Sequence, residues 1–195
     1  MGTLAKTDNK FFAPKLLVRR HFLAKYHPPG TAMRVLDCCQ GDGQLWGFLR
    51  REFAVAEYLG LDVKPKKGRV KLASERYLAL SGWPQTVIDV DTYGSPWKHW
   101  HAMLPNIVRP VTVFLTLGLV TPGGGSNLGA VTGSVMNFDN LASLPPSLAA
   151  KLAPHTVAYH LFAATRAGLR IVEAKEAVGG FSNARYLGLR IEPVK

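Results

Sequence analysis

The sequence predicts an α/β protein: a mostly parallel sheet with helices on both faces, closed by an antiparallel hairpin toward the C-terminus. Three observations carry that prediction. Apolar, β-branched runs alternate with stretches of helical spacing; an acidic strand end at Asp37 runs directly into a glycine turn; and two late strands are joined by a link too short for a parallel crossover.

Taken in order, Phe11 to Tyr26 predicts a helix with Phe12, Leu16, Leu17, Phe22 and Leu23 on its apolar side, ended by Pro28-Pro29-Gly30. Val35-Leu36-Asp37-Cys38-Cys39 reads as the first buried strand. Gly41 and Gly43 then turn the backbone, and Leu45, Phe48, Leu49 and Phe53 recur at helical spacing. Tyr58 to Val63 is the second strand and Arg69 to Ala73 the third, with only Lys64 to Gly68 between them, so the usual crossover helix is reduced to a loop. Glu75 to Leu80 follows as a short helix. Strands four and five, Thr86 to Asp91 and Val111 to Leu119, are apolar runs of the kind buried on both faces, and Pro96 to Leu104 between them is a helix with Pro in its first turn. A loop-rich insertion, 118–154, includes a short helix at Pro145 to Leu152. Thr156 to Ala167 is a helix closed by Gly168, and Leu169 to Val178 and Arg185 to Pro193 form a hairpin about Gly179-Gly180-Phe181-Ser182-Asn183.

A chain of 195 residues, 47% hydrophobic, suits a single domain spanning 1–195, with 1–30 as an N-terminal helical extension. No apolar stretch approaches the ~18 residues of a membrane span, and Met1 to Lys10 has no signal-peptide core, so the expectation is a cytoplasmic protein without a membrane partner. Cys38 and Cys39 are adjacent and lack metal-ligand spacing, which predicts reduced, buried thiols and no metal. The 24 Lys and Arg exceed the 13 Asp and Glu to give a net charge of +11, which favours a polyanionic partner, nucleic acid first. Lys15, Arg19, Arg20 and Lys25 cluster early, Arg50 and Arg51 follow, and Lys64, Lys66, Lys67, Arg69 and Lys71 form a third group; a well-solvated surface is the alternative reading.

The glycine turn suits a nucleotide-like ligand. Trp46 stands where a dinucleotide fingerprint needs its third glycine, so a pyrophosphate is disfavoured, whereas the Asp37 carboxylate could accept a hydrogen bond from an amino-acid ammonium. The segment resembles the first motif, D-x-G-x-G-x-G, of the class I (Rossmann-like) S-adenosylmethionine-dependent methyltransferases: Asp37, Gly41 and Gly43 match, and Cys39 replaces the first glycine. Asp62, at the end of the second strand, follows Asp37 by about 25 residues, near the ~20-residue offset of a ribose-binding carboxylate. The resemblance covers about Met33 to Val194 and implies a seven-stranded sheet, S-adenosyl-L-methionine as cofactor, and Ser74 or Glu75 beside its adenine.

Chemistry is expected at the end of strand four, Asp89-Val90-Asp91-Thr92-Tyr93-Gly94-Ser95-Pro96. This segment looks like the D-x-D-P-F/Y-G-S-P variant of the tRNA guanine N2-dimethyltransferases, with Thr92 in place of proline. An exocyclic base amine is a poor nucleophile. A carboxylate accepting its N–H bonds localises the lone pair, and an aromatic ring holds the base in line, roles the resemblance gives to Asp91 and Tyr93. The same residues also suit an ordinary strand-ending turn. His99, His101, Trp97 and Trp100 read as packing against the sheet. The leading expectation is methyl transfer to a base amine of RNA or DNA; the alternatives are a small-molecule or protein methyltransferase of the same fold, and a non-catalytic Rossmann-like binding domain. Nothing in the sequence specifies an oligomeric state.

Overall fold

In the computed structural model the described residues are 12–64, 70–92, 94–118, 146–179 and 184–194. Along the chain come α1 (Phe12–Tyr26), β1 (Met33–Asp37), α2 (Gln44–Glu52), β2 (Val55–Asp62), β3 (Val70–Lys71), α3 (Ser74–Leu78), β4 (Val87–Val90) and α4 (Trp97–Met103). A 3-10 turn (Leu104–Asn106), β5 (Val111–Gly118), α5 (Pro146–Arg166), β6 (Leu169–Val178) and β7 (Ala184–Pro193) complete it. The strands form one sheet in the order β3-β2-β1-β4-β5-β7-β6. β1 to β5 are mutually parallel, and β7 runs antiparallel to both β5 and β6. The expected hairpin is therefore present, with β7 inserted inside the sheet and β6 left as its edge.

Two apolar layers sandwich the sheet. On one face α3, α4 and α5 cover Leu36, Ile88, Val90, Val113 and Leu115; on the other, α1 and α2 cover Val35, Val87 and Phe114. β4 is buried throughout and β5 from Val111 to Leu117, as their largely apolar sequences suggest. Gly188 of β7 lets α1 approach: a Cβ there would lie 2.5 Å from the Phe22 ring and 2.7 Å from Val18.

Several boundaries differ from the sequence expectation. Leu17 is not on the apolar side of α1 but 62% exposed, because the buried stripe runs through Leu16, Arg19, Phe22 and Leu23 and admits a charged residue in its place. β3 has only two residues, both exposed, and pairs with Leu61 and Asp62 at the very end of β2. The connection between them, 65–69, lies outside the described residues. Where the sequence suggests two helical segments, α5 is continuous through Pro154. Ala153, Thr156, His160 and Ala164 form one fully buried stripe, and that packing holds the helix together across the missing N–H. The middle of the 118–154 insertion, the hairpin loop at 180–183 and Met1 to Lys10 lie outside the described residues.

Candidate functional site

β1 connects onward to β2 on one side while β4 connects to β5 on the other, so the chain diverges beyond their C-terminal ends and opens a crevice there. The β1 turn forms one wall. Gly41 and Gly43 take φ of 53° and 67°, a left-handed conformation that side chains disfavour, and Gly43 is the residue that starts α2. The Gly41 N–H donates to Asp62 Oδ2 at 3.0 Å and the Lys64 N–H to Asp62 Oδ1 at 2.9 Å, so the carboxylate at the β2 end is fixed against the turn. The Gln40 amide lies over Gly60, where any Cβ would collide with it, and Gln40 Oε1 is buried with no hydrogen-bond partner among the described residues.

Asp37 sits lower than the sequence reading implies. Its carboxyl is 4% exposed and accepts the Tyr58 hydroxyl at 2.6 Å. Burial, reinforced by Asp89, pushes its pKa up to about 8, so near neutral pH it is largely the acid, not the carboxylate that an ammonium would seek. Cys39 is half-buried and its thiol is pushed up to about 12 by burial; Cys38 is buried and, for the same reason, raised well above its ordinary value. Both are free thiols.

The opposite wall is set by β4. Asp89, the register partner of Asp37, is fully buried and held by Arg19 through Nε at 2.7 Å and Nη2 at 2.6 Å, with the Trp46 indole N–H donating at 2.9 Å. Asp91, immediately past β4, receives Lys15 Nζ at 2.8 and 2.7 Å on its two oxygens. Burial would raise the Asp91 pKa, but Lys15 and then Arg19 overcome it and hold the carboxyl below its ordinary value. The two pairs form a ladder because spacings match. Four helical residues from Lys15 to Arg19 rise about 6 Å, and two strand residues from Asp89 to Asp91 rise about 6.6 Å on one face. Removing Arg19 would strand a buried charge, at a cost of about 3–5 kcal/mol.

Sequence reasoning placed Lys15 and Arg19 in a surface cluster for a polyanion and did not find Asp89, Trp46 or Tyr58. The signal was an aspartate inside an otherwise apolar strand, two residues before another, matched by two cations four apart on the preceding helix. The rest of that early cluster is also engaged: Arg20 pairs with Glu52, and Lys25 with Glu173, which also accepts from His21 and Tyr26. Lys66, Lys67 and Arg69 lie outside the described residues.

Ser74, expected beside the adenine, is 3% exposed, and its hydroxyl donates to the Cys38 carbonyl at 2.6 Å and lies 2.9 Å from His99 Nε2. It ties the β1 turn to α4. Glu75 is more open, with Oε2 3.7 Å from His99 Nε2. Burial lowers the His99 pKa. His101 and His160 lie farther off, joined at 2.9 Å, with the His160 ring stacked on Trp97 at 4.1 Å. Tyr93 lies outside the described residues. Its neighbour Gly94 takes φ 114° and accepts the Gly118 N–H at 2.8 Å, fastening the turn after β4 to the end of β5. Among the described residues no cluster of His, Cys, Asp and Glu could hold a metal ion, and no helix is long and apolar enough to cross a membrane.

No protein-family model and no curated protein sequence matches the chain. Solved structures do. Trm1 from Pyrococcus horikoshii, in complex with S-adenosyl-L-methionine, superposes with a TM-score of 0.61 at 13% identity, over 97% of this chain but only 57% of that one. A protein of Lactococcus lactis designated a hemolysin gives 0.59 at 11% identity, over 97% of this chain and 89% of that one. The N-methyltransferase NodS from Bradyrhizobium japonicum, in complex with S-adenosyl-L-homocysteine, gives 0.51 at 12% identity, over 93% and 86%. At such identities the likeness is one of architecture. With its strand order and inserted antiparallel β7, this chain has the seven-stranded Rossmann-like fold found in S-adenosylmethionine-dependent methyltransferases.

Proposed function

We propose that the chain is an S-adenosylmethionine-dependent methyltransferase acting on an exocyclic amine of a nucleic-acid base. The observation that carries the cofactor reading is the Asp62 carboxylate fixed against the Gly41 turn, at the crevice where β1 and β4 part. The residues present fit such a group. Asp62 would accept ribose hydroxyls, the bare backbone of Gly41 and Gly43 allows close approach, and Gln40 Oε1 is a buried acceptor awaiting a donor. Asp37, by contrast, is raised by burial, so an ammonium seated against it would have to draw off its proton.

When bound, S-adenosylmethionine supplies an electrophilic methyl on a sulfonium. The chain's own part is to bring a nucleophile into line with it and exclude competing geometry. Asp91, kept ionised by Lys15, has lone pairs left to accept the N–H bonds of a base amine, and Tyr93 is assigned to stack on that base. The net charge of +11 supports a nucleic-acid substrate. Incubation with labelled S-adenosylmethionine and total nucleic acid, followed by nucleoside mass spectrometry, is the direct test. A methylated amino-nucleoside is expected; binding of the cofactor with transfer only to a protein or small-molecule fraction would replace the substrate assignment.

A further inference from the structure

One turn before Lys15 on α1, Phe12 meets Phe48 of α2 edge to face, with ring centroids 5.2 Å apart at 65°. Phe48 is 46% exposed, an unusual position for a phenyl ring beside a crevice. The Arg51 guanidinium, one turn further along α2, stands 5.5 Å from the Phe48 centroid, and Arg50 stands 5.0 Å from the centroid of Tyr58, the residue whose hydroxyl reaches Asp37. Arg50 and Arg51 are exposed and, among the described residues, neither is paired with a carboxylate; the adjacent Glu52 is taken by Arg20. On α1, Lys15, Arg19, Arg20 and Lys25 are consumed by internal pairs, whereas on α2 Arg50 and Arg51 face solvent.

The combination selects a partner. An acidic peptide would satisfy the arginines and leave Phe48 without a match, and an apolar surface would do the reverse. Single-stranded nucleic acid offers both halves, a π-face on every base and an anion at every step. We propose that Phe12, Phe48, Arg50 and Arg51 form a docking surface for single-stranded nucleic acid, with a base against Phe48 and flanking phosphates on the arginines. The inference rests on the nucleic-acid reading above and adds to it the face on which the strand lies. Phe12 is about 4.5 Å of helix rise from Lys15, so a strand on this surface passes beside Asp91.

The test is fluorescence anisotropy with a labelled single-stranded oligonucleotide of mixed sequence, over a range of salt, for the parent, for Phe48→Ala and for the Arg50→Glu/Arg51→Glu pair. Melting curves and S-adenosylhomocysteine titrations on the same samples show that each variant is folded with its crevice intact. Phe48→Ala is expected to weaken binding about 5- to 100-fold. The arginine pair is expected to flatten the salt slope by roughly 1.4, the share of two phosphates on a single strand. A parent that binds the oligonucleotide, with both folded variants binding equally tightly and with the same slope, overturns the surface and leaves the nucleic-acid reading standing. A parent that binds S-adenosylhomocysteine but not the oligonucleotide at low salt overturns both.

Discussion

Lys15 holds both oxygens of Asp91 at 2.7 to 2.8 Å across 76 residues of sequence, so a helix that precedes every strand sets the charge of the carboxylate at the mouth of β4. The pair is only partly screened, with side-chain exposures of 13% and 22%. Its role follows from what opposes it, the burial that would otherwise push Asp91 toward its acid form.

Lys15→Met should therefore lower turnover on the order of 100-fold, as expected when a positioned acid-base group is lost, and move the acid limb of the rate profile to higher pH. Lys15→Arg should restore most of it. Binding of S-adenosylhomocysteine should change little in either. A pH profile of Lys15→Met superimposable on that of the parent would show that the pair is structural only.

Asp62→Ala should weaken S-adenosylhomocysteine binding by calorimetry on the order of 10- to 100-fold, through loss of charge-assisted hydrogen bonds and of the Gly41 anchor. Unchanged affinity in a folded variant would remove Asp62 from the ribose.

Asp37 gives a prediction about stability against pH. Its folded pKa is raised by burial to about 8 from an ordinary carboxylate value, so the folded state holds a proton that the unfolded state has released, and stability falls as pH rises toward 8. His27 and His160, lowered to about 4, and His99 and His101, also lowered, are neutral in the folded state while the unfolded state still holds part of their protons near pH 6.5, so they push stability up as pH rises; the difference between the parent and Asp37→Asn, which keeps an acceptor for Tyr58, cancels that shared contribution. Relative to that variant the parent should lose at most about 2 kcal/mol between about pH 6.5 and 8. Chemical denaturation of both proteins reads this difference; an equal slope in both would place the proton elsewhere.

Gly188→Ala should lower stability by about 1–3 kcal/mol, because the new methyl meets the fully buried Phe22 and cannot be relieved by a flexible side-chain end. Thermal melting reads this directly. A companion Phe22→Leu substitution should recover part of the loss if the clash is the cause.

Most of the architecture was legible because it depends on local patterns: apolar runs for β4 and β5, the glycine turn at 41–43, and the short link that forces the late hairpin. The insertion of β7 between β5 and β6 was not legible, since either strand of an antiparallel hairpin can take the inner place. Pro145 to Leu152 and Thr156 to Ala167 read as separate helices because propensity is local, whereas the buried stripe from Ala153 to Ala164 that keeps α5 whole is a tertiary fact. At the site, glycine conformations and the place of Asp62 at the β2 tip followed from motif spacing. The partners of Asp37, Asp89 and Asp91 did not, because their cations and hydroxyls come from α1 and from the middle of β2. Ser74 shows the same gap: its hydroxyl faces inward to Cys38 and His99, a direction that position in sequence does not reveal.

The placement of α1 has a consequence for how the chain is made. It packs on β6 and β7, and His21 reaches Glu173 across 152 residues, so a helix made before β1 docks on strands made after β5. Before those strands form, α1 has mainly α2 and β5 to pack on, and the guanidinium it brings to Asp89 is held by less of the fold. Completion of the crevice thus waits on β6 and β7, and a product cut short before them lacks most of the surface that holds Lys15 and Arg19 against the central carboxylates.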